Sequence, residues 1–139
     1  MTLYHASCVE LGGKGILIEG PSGSGKSDLS LRLIDAGAKL VSDDYVDIRN
    51  ENGTLVGYGP PNIEGMLEIR GIGLLKTDYI KSSPLYLTLE LTPRDEIERL
   101  PEADFFEMDD VKIPYYKFDA FSVSAIAKIT MLLNTIADK

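Results

Sequence analysis

Residues Gly20-Pro-Ser-Gly-Ser-Gly25-Lys26-Ser27 fit the pattern G-x-x-x-x-G-K-[ST] over its whole length. Each part of that pattern answers a need of phosphate binding. Glycines let the backbone curl so that successive N–H groups converge on phosphate oxygens with no Cβ in the way. A helix opening at the turn sets its positive dipole end beneath the anion. Lys26 neutralises the β- and γ-phosphate oxygens, and the Ser27 hydroxyl is placed to ligate Mg²⁺. A shuffled chain of this composition would contain the pattern about once in a hundred tries. Gly20, Pro21, Ser22, Gly23, Ser24, Gly25, Lys26 and Ser27 are therefore read as a nucleotide-binding turn, with ATP and Mg²⁺ as the implied ligands.

Carboxylates supply the second kind of chemistry. Asp43 and Asp44 close a short apolar stretch that follows the helix opened by the turn. A strand returning from that helix beside the turn's own strand would bring both carboxylates to the phosphates. Adjacent side chains on a strand point to opposite faces. One of the two can then act as base and the other as a metal-shell or structural acceptor, unless the chain bends there. Glu68-Ile-Arg70-Gly71-Ile-Gly73 is a third cluster; on a strand Glu68 and Arg70 share a face, and the glycines permit close approach to a ligand. His5 is the only histidine, and a lone histidine near a strand start carries little by itself.

The elements that must position these groups follow from periodicity. Leu3 to Leu11 reads as one strand and Lys14 to Glu19 as another. A helix runs from about Lys26 to Ala36, with Leu29, Leu33 and Ala36 on one face and Gly37 as its stop. Lys39 to Ser42 is a short strand. Tyr45 to Arg49 and Thr54 to Tyr58 flank Asn52-Gly53, a strong hairpin signal. Pro84 to Thr92 alternates as a half-buried strand. Arg94 to Asp110 holds eight acidic and two basic residues and reads as a solvated helix plus loop, or as a surface steering a basic partner. Phe121 to Ala137 has the spacing of an amphipathic helix. Together these give one α/β domain over residues 1–139, a P-loop domain with a mixed sheet.

Composition sets the outer limits. A chain of 139 residues with 44% hydrophobic residues buries a real core. A net charge of −8 argues against a sequence-independent nucleic-acid binder. One cysteine, Cys8, cannot form an internal disulfide. Apolar runs fall short of the roughly 20 residues that span a bilayer, and no signal-peptide pattern opens the chain. The expectation is a cytoplasmic domain that binds neither nucleic acid nor membrane.

Taken together, His5, the Gly20–Ser27 turn, Asp43-Asp44 and the Glu68–Gly73 signature preceded by Pro60-Pro61 resemble the catalytic (C-terminal) domain of HPr kinase/phosphorylase. Members of that family phosphorylate a serine of the phosphocarrier protein HPr. The match is tight over roughly residues 5–75, in a form resembling the short single-domain members of α-proteobacteria. The resemblance implies a nucleotide-binding core like that of phosphoenolpyruvate carboxykinase and assembly as a homo-oligomer, a hexamer. It implies that Lys26 holds the phosphates, that Ser27 and Glu68, with Asp43 beside them, hold Mg²⁺, and that Asp44 is the general base. His5 would tune Asp44, and Arg70 would support the site. Two departures stand out. The family's Pro-x-Arg-Pro-Gly-Arg-Asn stretch, tied to dephosphorylation of HPr, is matched by Ile113-Pro-Tyr-Tyr-Lys-Phe-Asp119, which leaves that second activity open. The family's arginine before the late strand has only Lys76 or Lys81 nearby, and lysine lacks the guanidinium fork. A P-loop small-metabolite kinase and a nucleotide-sensing module without turnover are the competing readings.

Overall fold

The computed structural model describes residues 2–136. Eleven strands and two α-helices are found among them, with two hydrophobic clusters packed on opposite faces of a curled mixed sheet. The strands are β1 (Thr2–Tyr4), β2 (Ser7–Leu11), β3 (Lys14–Glu19), β4 (Lys39–Ser42), β5 (Val46–Glu51), β6 (Thr54–Tyr58), β7 (Met66–Ile69), β8 (Gly73–Lys76), β9 (Ser82–Leu91), β10 (Asp104–Met108) and β11 (Val111–Phe118). The helices are α1 (Lys26–Asp35) and α2 (Ala125–Thr135). Strand order is β1-β5-β6-β9-β3-β2-β4, with β11 also pairing β9 and β10 pairing β11. Strands β7 and β8 form a separate two-stranded ribbon.

Strand β3 and its neighbour β9 run parallel at the centre, so both of their faces are covered. Ile16 and Ile18 face α1 and α2, where Leu29, Leu33, Ile129 and Leu133 are buried, while Leu17 joins Cys8, Val41 and Ile48 on the other face. Full burial of each such side chain contributes roughly 1.5–3 kcal/mol. The half-buried strand expected at 84–92 is instead almost wholly buried. Its alternation is interrupted where the register slips between Gly15 and Ile16, leaving Tyr86 as an extra residue on β9.

Helix α1 ends as its sequence indicates. Gly37 adopts φ +111°, its N–H reaches the Ile34 carbonyl, and the Ala38 N–H reaches that of Leu33. This is a Schellman close, which glycine permits without a Cβ penalty. The hairpin turn at Asn52-Gly53 has both residues at positive φ, the geometry that an Asn-Gly pair favours.

Four expectations are corrected. The single strand read at Leu3–Leu11 breaks at His5 and Ala6; β1 pairs with β5, whereas β2 pairs with β3 and β4. Strand β4 does not lie beside β3, because β2 runs between them. The acidic stretch 94–110 is a short 3₁₀ turn at Arg94–Glu96 followed by edge strand β10, not a helix. Phe106 there is buried and pairs opposite Ile113, an inward contact that the surrounding charges conceal in the sequence. Helix α2 starts at Ala125 rather than Phe121, since residues 121–124 form a turn; Ala137 lies outside the described residues. No described helix is long and apolar enough to cross a membrane.

Candidate functional site

The glycine-rich turn joins the end of β3 to the start of α1. Gly20, Gly23 and Gly25 take φ values of +152°, +82° and +100°, which curl the chain over the first turn of the helix. That first turn presents N–H groups without intrahelical acceptors. Lys26 is buried, and its Nζ donates to the Gly20 carbonyl at 2.7 Å and to the Pro21 carbonyl at 3.3 Å. The ammonium is thus folded back across its own loop and, among the described residues, stands on carbonyls and not on a carboxylate.

Asp43 ties three elements to this turn. Its Oδ1 accepts from Ser27 Oγ at 3.0 Å and from Ser7 Oγ at 3.1 Å, and its Oδ2 accepts from the Glu68 N–H at 3.2 Å. Helix α1, strand β2 and strand β7 therefore meet on one carboxylate. Although β4 lies one strand further out than expected, the link from Asp43 to Ser27 closes the gap.

Asp44 is directed into the same cleft by a bend. Its φ is +76°, and the Tyr45 N–H donates to the Asp43 carbonyl at 2.9 Å, an i→i+2 turn centred on Asp44. The bend is pinned by Ser7, whose Oγ accepts the Asp44 N–H at 3.2 Å, and by the Ser42 hydroxyl donating to the Tyr45 carbonyl. A non-glycine residue held this way stores about 1–3 kcal/mol of strain. The bend removes the opposite-face problem of a straight strand, and both aspartates line one cleft.

His5 sits at the break between β1 and β2. Its Nε2 lies 3.3 Å from Asp44 Oδ1, and its ring stacks on Tyr45 with centroids 4.8 Å apart and an interplanar angle of 22°. The imidazole is about half exposed and the Asp44 side chain about two thirds exposed. Stacking orients the ring, so its reach to Asp44 does not depend on that contact alone.

The cleft itself measures about 470 Å³ and is lined by the glycine-rich turn, Asp28, Leu31, Asp43, Asp44, Glu68, Ile69, Arg70 and Phe121. Glu68 lies on β7 and Arg70 in the turn just after it, so the two are not on one strand face, yet both border the cleft. Lys76 and Lys81 do not border it; Lys76 stands over the Tyr79 ring, 5.5 Å from its centroid. The stretch Ile113–Asp119 is mostly strand β11.

His5 apart, which lies against Asp44, the residues expected to bind, ligate or catalyse lie in the turn or line the cleft, whereas Gly71, Gly73, Lys76 and Lys81 do not line it. Sequence reasoning missed Ser7, Tyr45 and Phe121. Ser7 is two residues from His5 and Tyr45 is next to Asp44, so proximity to the motifs was the available signal. Phe121 offers none, because its spacing reads as part of the helix.

Beneath the turn lies another polar group. Glu19, the last residue of β3, accepts from the Tyr4 hydroxyl at 2.5 Å, while the Tyr115 hydroxyl lies 2.5 Å from Glu90 Oε1 and 2.9 Å from Glu19 Oε1. Partial burial, with the adjacent carboxylates, pushes the Tyr4 and Tyr115 hydroxyl pKa values well above the usual tyrosine range.

Among the described residues no three His, Cys, Asp or Glu side chains form a ready metal cage. Mg²⁺ does not require one, since it keeps several waters and is bound through one or two carboxylates together with substrate phosphates. The hard oxygens of Ser27 and Asp43, 3.0 Å apart, and the Glu68 carboxylate at the same cleft suit that mode.

Fold and site together define a mixed α/β domain whose acidic side chains are collected at a glycine-rich, helix-opening turn. The model of the HPr Serine kinase C-terminal domain matches residues 1–138, and the chain belongs to that family. An HPr kinase/phosphorylase of Geobacillus thermodenitrificans is 38% identical over 125 residues, covering 81% of this chain and 40% of the relative. One of Bordetella petrii is 40% identical over 114 residues, covering 74% of this chain and 37% of the relative. The chain therefore spans about two fifths of the length of these curated relatives. The solved structure of the Hpr(Ser) kinase/phosphatase from Coxiella burnetii superposes with a TM-score of 0.85 at 26% identity, covering 96% of this chain and 95% of that one.

Proposed function

We propose that this domain is an ATP- and Mg²⁺-dependent protein serine kinase acting on an HPr-like phosphocarrier protein. The observation that carries the reading is that Asp43, Asp44 and Glu68 line one cleft with Lys26 and Ser27, with His5 against Asp44. Four separated stretches of sequence contribute to one cleft, and each contributes the residue type that phosphoryl transfer to a hydroxyl needs. Family membership and the names of the relatives support the same reading.

In this reading the backbone of the glycine-rich turn and Lys26 bind the nucleotide phosphates. When phosphate enters, the Lys26 ammonium exchanges the Gly20 and Pro21 carbonyls for the anion. Ser27, Asp43 and Glu68 would hold Mg²⁺, which supplies charge neutralisation on the phosphate oxygens. Asp44 accepts the proton of the incoming serine hydroxyl, with its carboxylate oriented by the bend and by His5. The base acts late, because a loose transition state leaves most bond formation to the end. A nucleotide core of the phosphoenolpyruvate carboxykinase type, a cytoplasmic location and assembly as a homo-oligomer, a hexamer by family resemblance, belong to the same proposal; sedimentation analysis measures the last.

The direct test is incubation of the chain with labelled ATP, Mg²⁺ and an HPr-family protein, with mass spectrometry to locate the phosphate. Transfer to a serine is expected. Asp44→Ala is expected to lower the transfer rate by about 10²–10⁴; a full rate from that variant removes the proposed base. A nucleotide-sensing module without turnover is favoured only by Arg70 being the single arginine at the cleft. Bound ATP that stays intact while partner affinity changes would establish that second reading.

A further inference from the structure

We propose that Phe121 is the platform on which the base of the bound nucleotide stacks, so that the site takes purine nucleotides by their flat face and distinguishes adenine from guanine only weakly. The inference rests on the nucleotide reading above and concerns a part of the ligand that none of the motif residues touches.

Phe121 is 72% exposed although it is a large aromatic side chain in a folded domain. It borders the same cleft as the glycine-rich turn and Asp44. Its ring lies directly over Gly25, where a Cβ would come within 3.1 Å of the ring's Cζ. The ring is therefore seated on the turn that would grip the phosphates, within a nucleotide's length of it. Leu31, one helical turn past Ser27 on α1, adds a second partly exposed apolar side chain to the cleft.

The backbone beneath the ring is ordered by specific contacts. Asp119 Oδ1 accepts the Phe121 N–H at 3.0 Å. Arg32 donates to the Ala120 carbonyl, and Arg32 is in turn held by Asp28 at 3.1 Å. Helix α1 thus fixes the segment that presents Phe121, so little ordering remains to be done when a flat ligand arrives. Every base offers a π face to such a ring. Reading the edge of a base takes hydrogen-bonding side chains. Of those lining the cleft, Lys26, Ser27, Asp43, Asp44, Glu68 and Arg70 belong to the phosphate and carboxylate end in the reading above, which leaves Ser22 and Asp28. Asp28, the acidic side chain nearest along α1, is engaged by Arg32. Stacking without edge contacts favours the larger purine rings over pyrimidines and treats the two purines alike.

The chain contains no tryptophan, so Phe121→Trp installs a single indole reporter. Its fluorescence is expected to respond to Mg²⁺-ATP and Mg²⁺-GTP, and not to Mg²⁺ with inorganic tripolyphosphate. By calorimetry, Phe121→Ala is expected to weaken ATP and GTP roughly tenfold, the scale of one stacked base, and to leave tripolyphosphate binding unchanged. Equal weakening of all three ligands would show that the ring only shores up the turn, and would overturn the proposal. So would an indole that responds equally to tripolyphosphate, or a parent chain that binds ATP far more tightly than GTP. If the parent binds none of the three, the nucleotide reading fails and takes this one with it. ATP binding that is indifferent to residue 121 overturns this proposal alone.

Discussion

Two Asp-Asp pairs occur in this chain, and both bend the backbone through positive φ. Asp44 has φ +76°; Asp109 and Asp110 have φ +51° and +63°. The second pair is the two-residue turn between β10 and β11, with both side chains exposed and neither carboxylate hydrogen-bonded among the described residues. The first is locked by Ser7, Ser27, Ser42 and the Glu68 N–H. The dipeptide is the same, and its second residue has positive φ in both. What differs is the number of elements that converge on the carboxylates, and convergence is what separates a candidate site from a hairpin turn.

That contrast can be broken or sharpened by substitution. Asp43→Ala should have the largest effect, because it removes the acceptor shared by α1, β2 and β7. Loss of hydrogen bonds to a charged group is expected to cost about 2–3 kcal/mol of stability, together with loss of phosphoryl transfer. A denaturant melt and a transfer assay on the same sample check both. Asp44→Gly should separate the two properties: transfer falls as for the alanine variant, while the midpoint of unfolding is no lower than the parent's, since glycine relieves the positive-φ strain. A clear loss of stability would mean that the bend at Asp44 is not strained.

A third pair of carboxylates, Glu19 and Glu90, are register neighbours on β3 and β9 and are capped by tyrosines. Tyr4 and Tyr115 are held protonated more tightly in the folded chain than in the unfolded one, where tyrosine ionises near pH 10. Their contribution to stability is therefore complete below about pH 10 and is lost progressively as pH rises through the higher folded values. Urea midpoints should fall above pH 10, and less steeply in Tyr115→Phe than in the parent. The smallest effect belongs to the exposed turn. Asp109→Asn with Asp110→Gly should leave transfer unchanged and add about 0.5 kcal/mol, because Asn-Gly suits a two-residue hairpin turn better.

Much of the site is legible in the sequence because its parts are local. The Gly20–Ser27 turn needs only glycines, a lysine and a serine in fixed spacing, and the close of α1 at Gly37 follows from backbone preference alone. What the sequence conceals depends on partners distant along the chain. Nothing local shows that β2 would slide between β3 and β4, or that Ser7 would reach two aspartates 36 and 37 residues away. Strand β10 is hidden by its own charges, since a lone inward Phe106 makes no pattern. Phe121 was absorbed into a helical spacing that begins only after Ser124.

The break in the first strand places His5 at a seam. The chain leaves the ladder it shares with β5 at Tyr4 and enters the one it shares with β3 at Ser7, so the imidazole hangs from two margins at once. Peeling β1 away from β5 would loosen the backbone before that ring and leave the stack on Tyr45 as its remaining hold beside Asp44, while the glycine-rich turn and both helices kept their own contacts. In the proposed mechanism, that margin bears on how the base is oriented and not on the turn that would grip the phosphates.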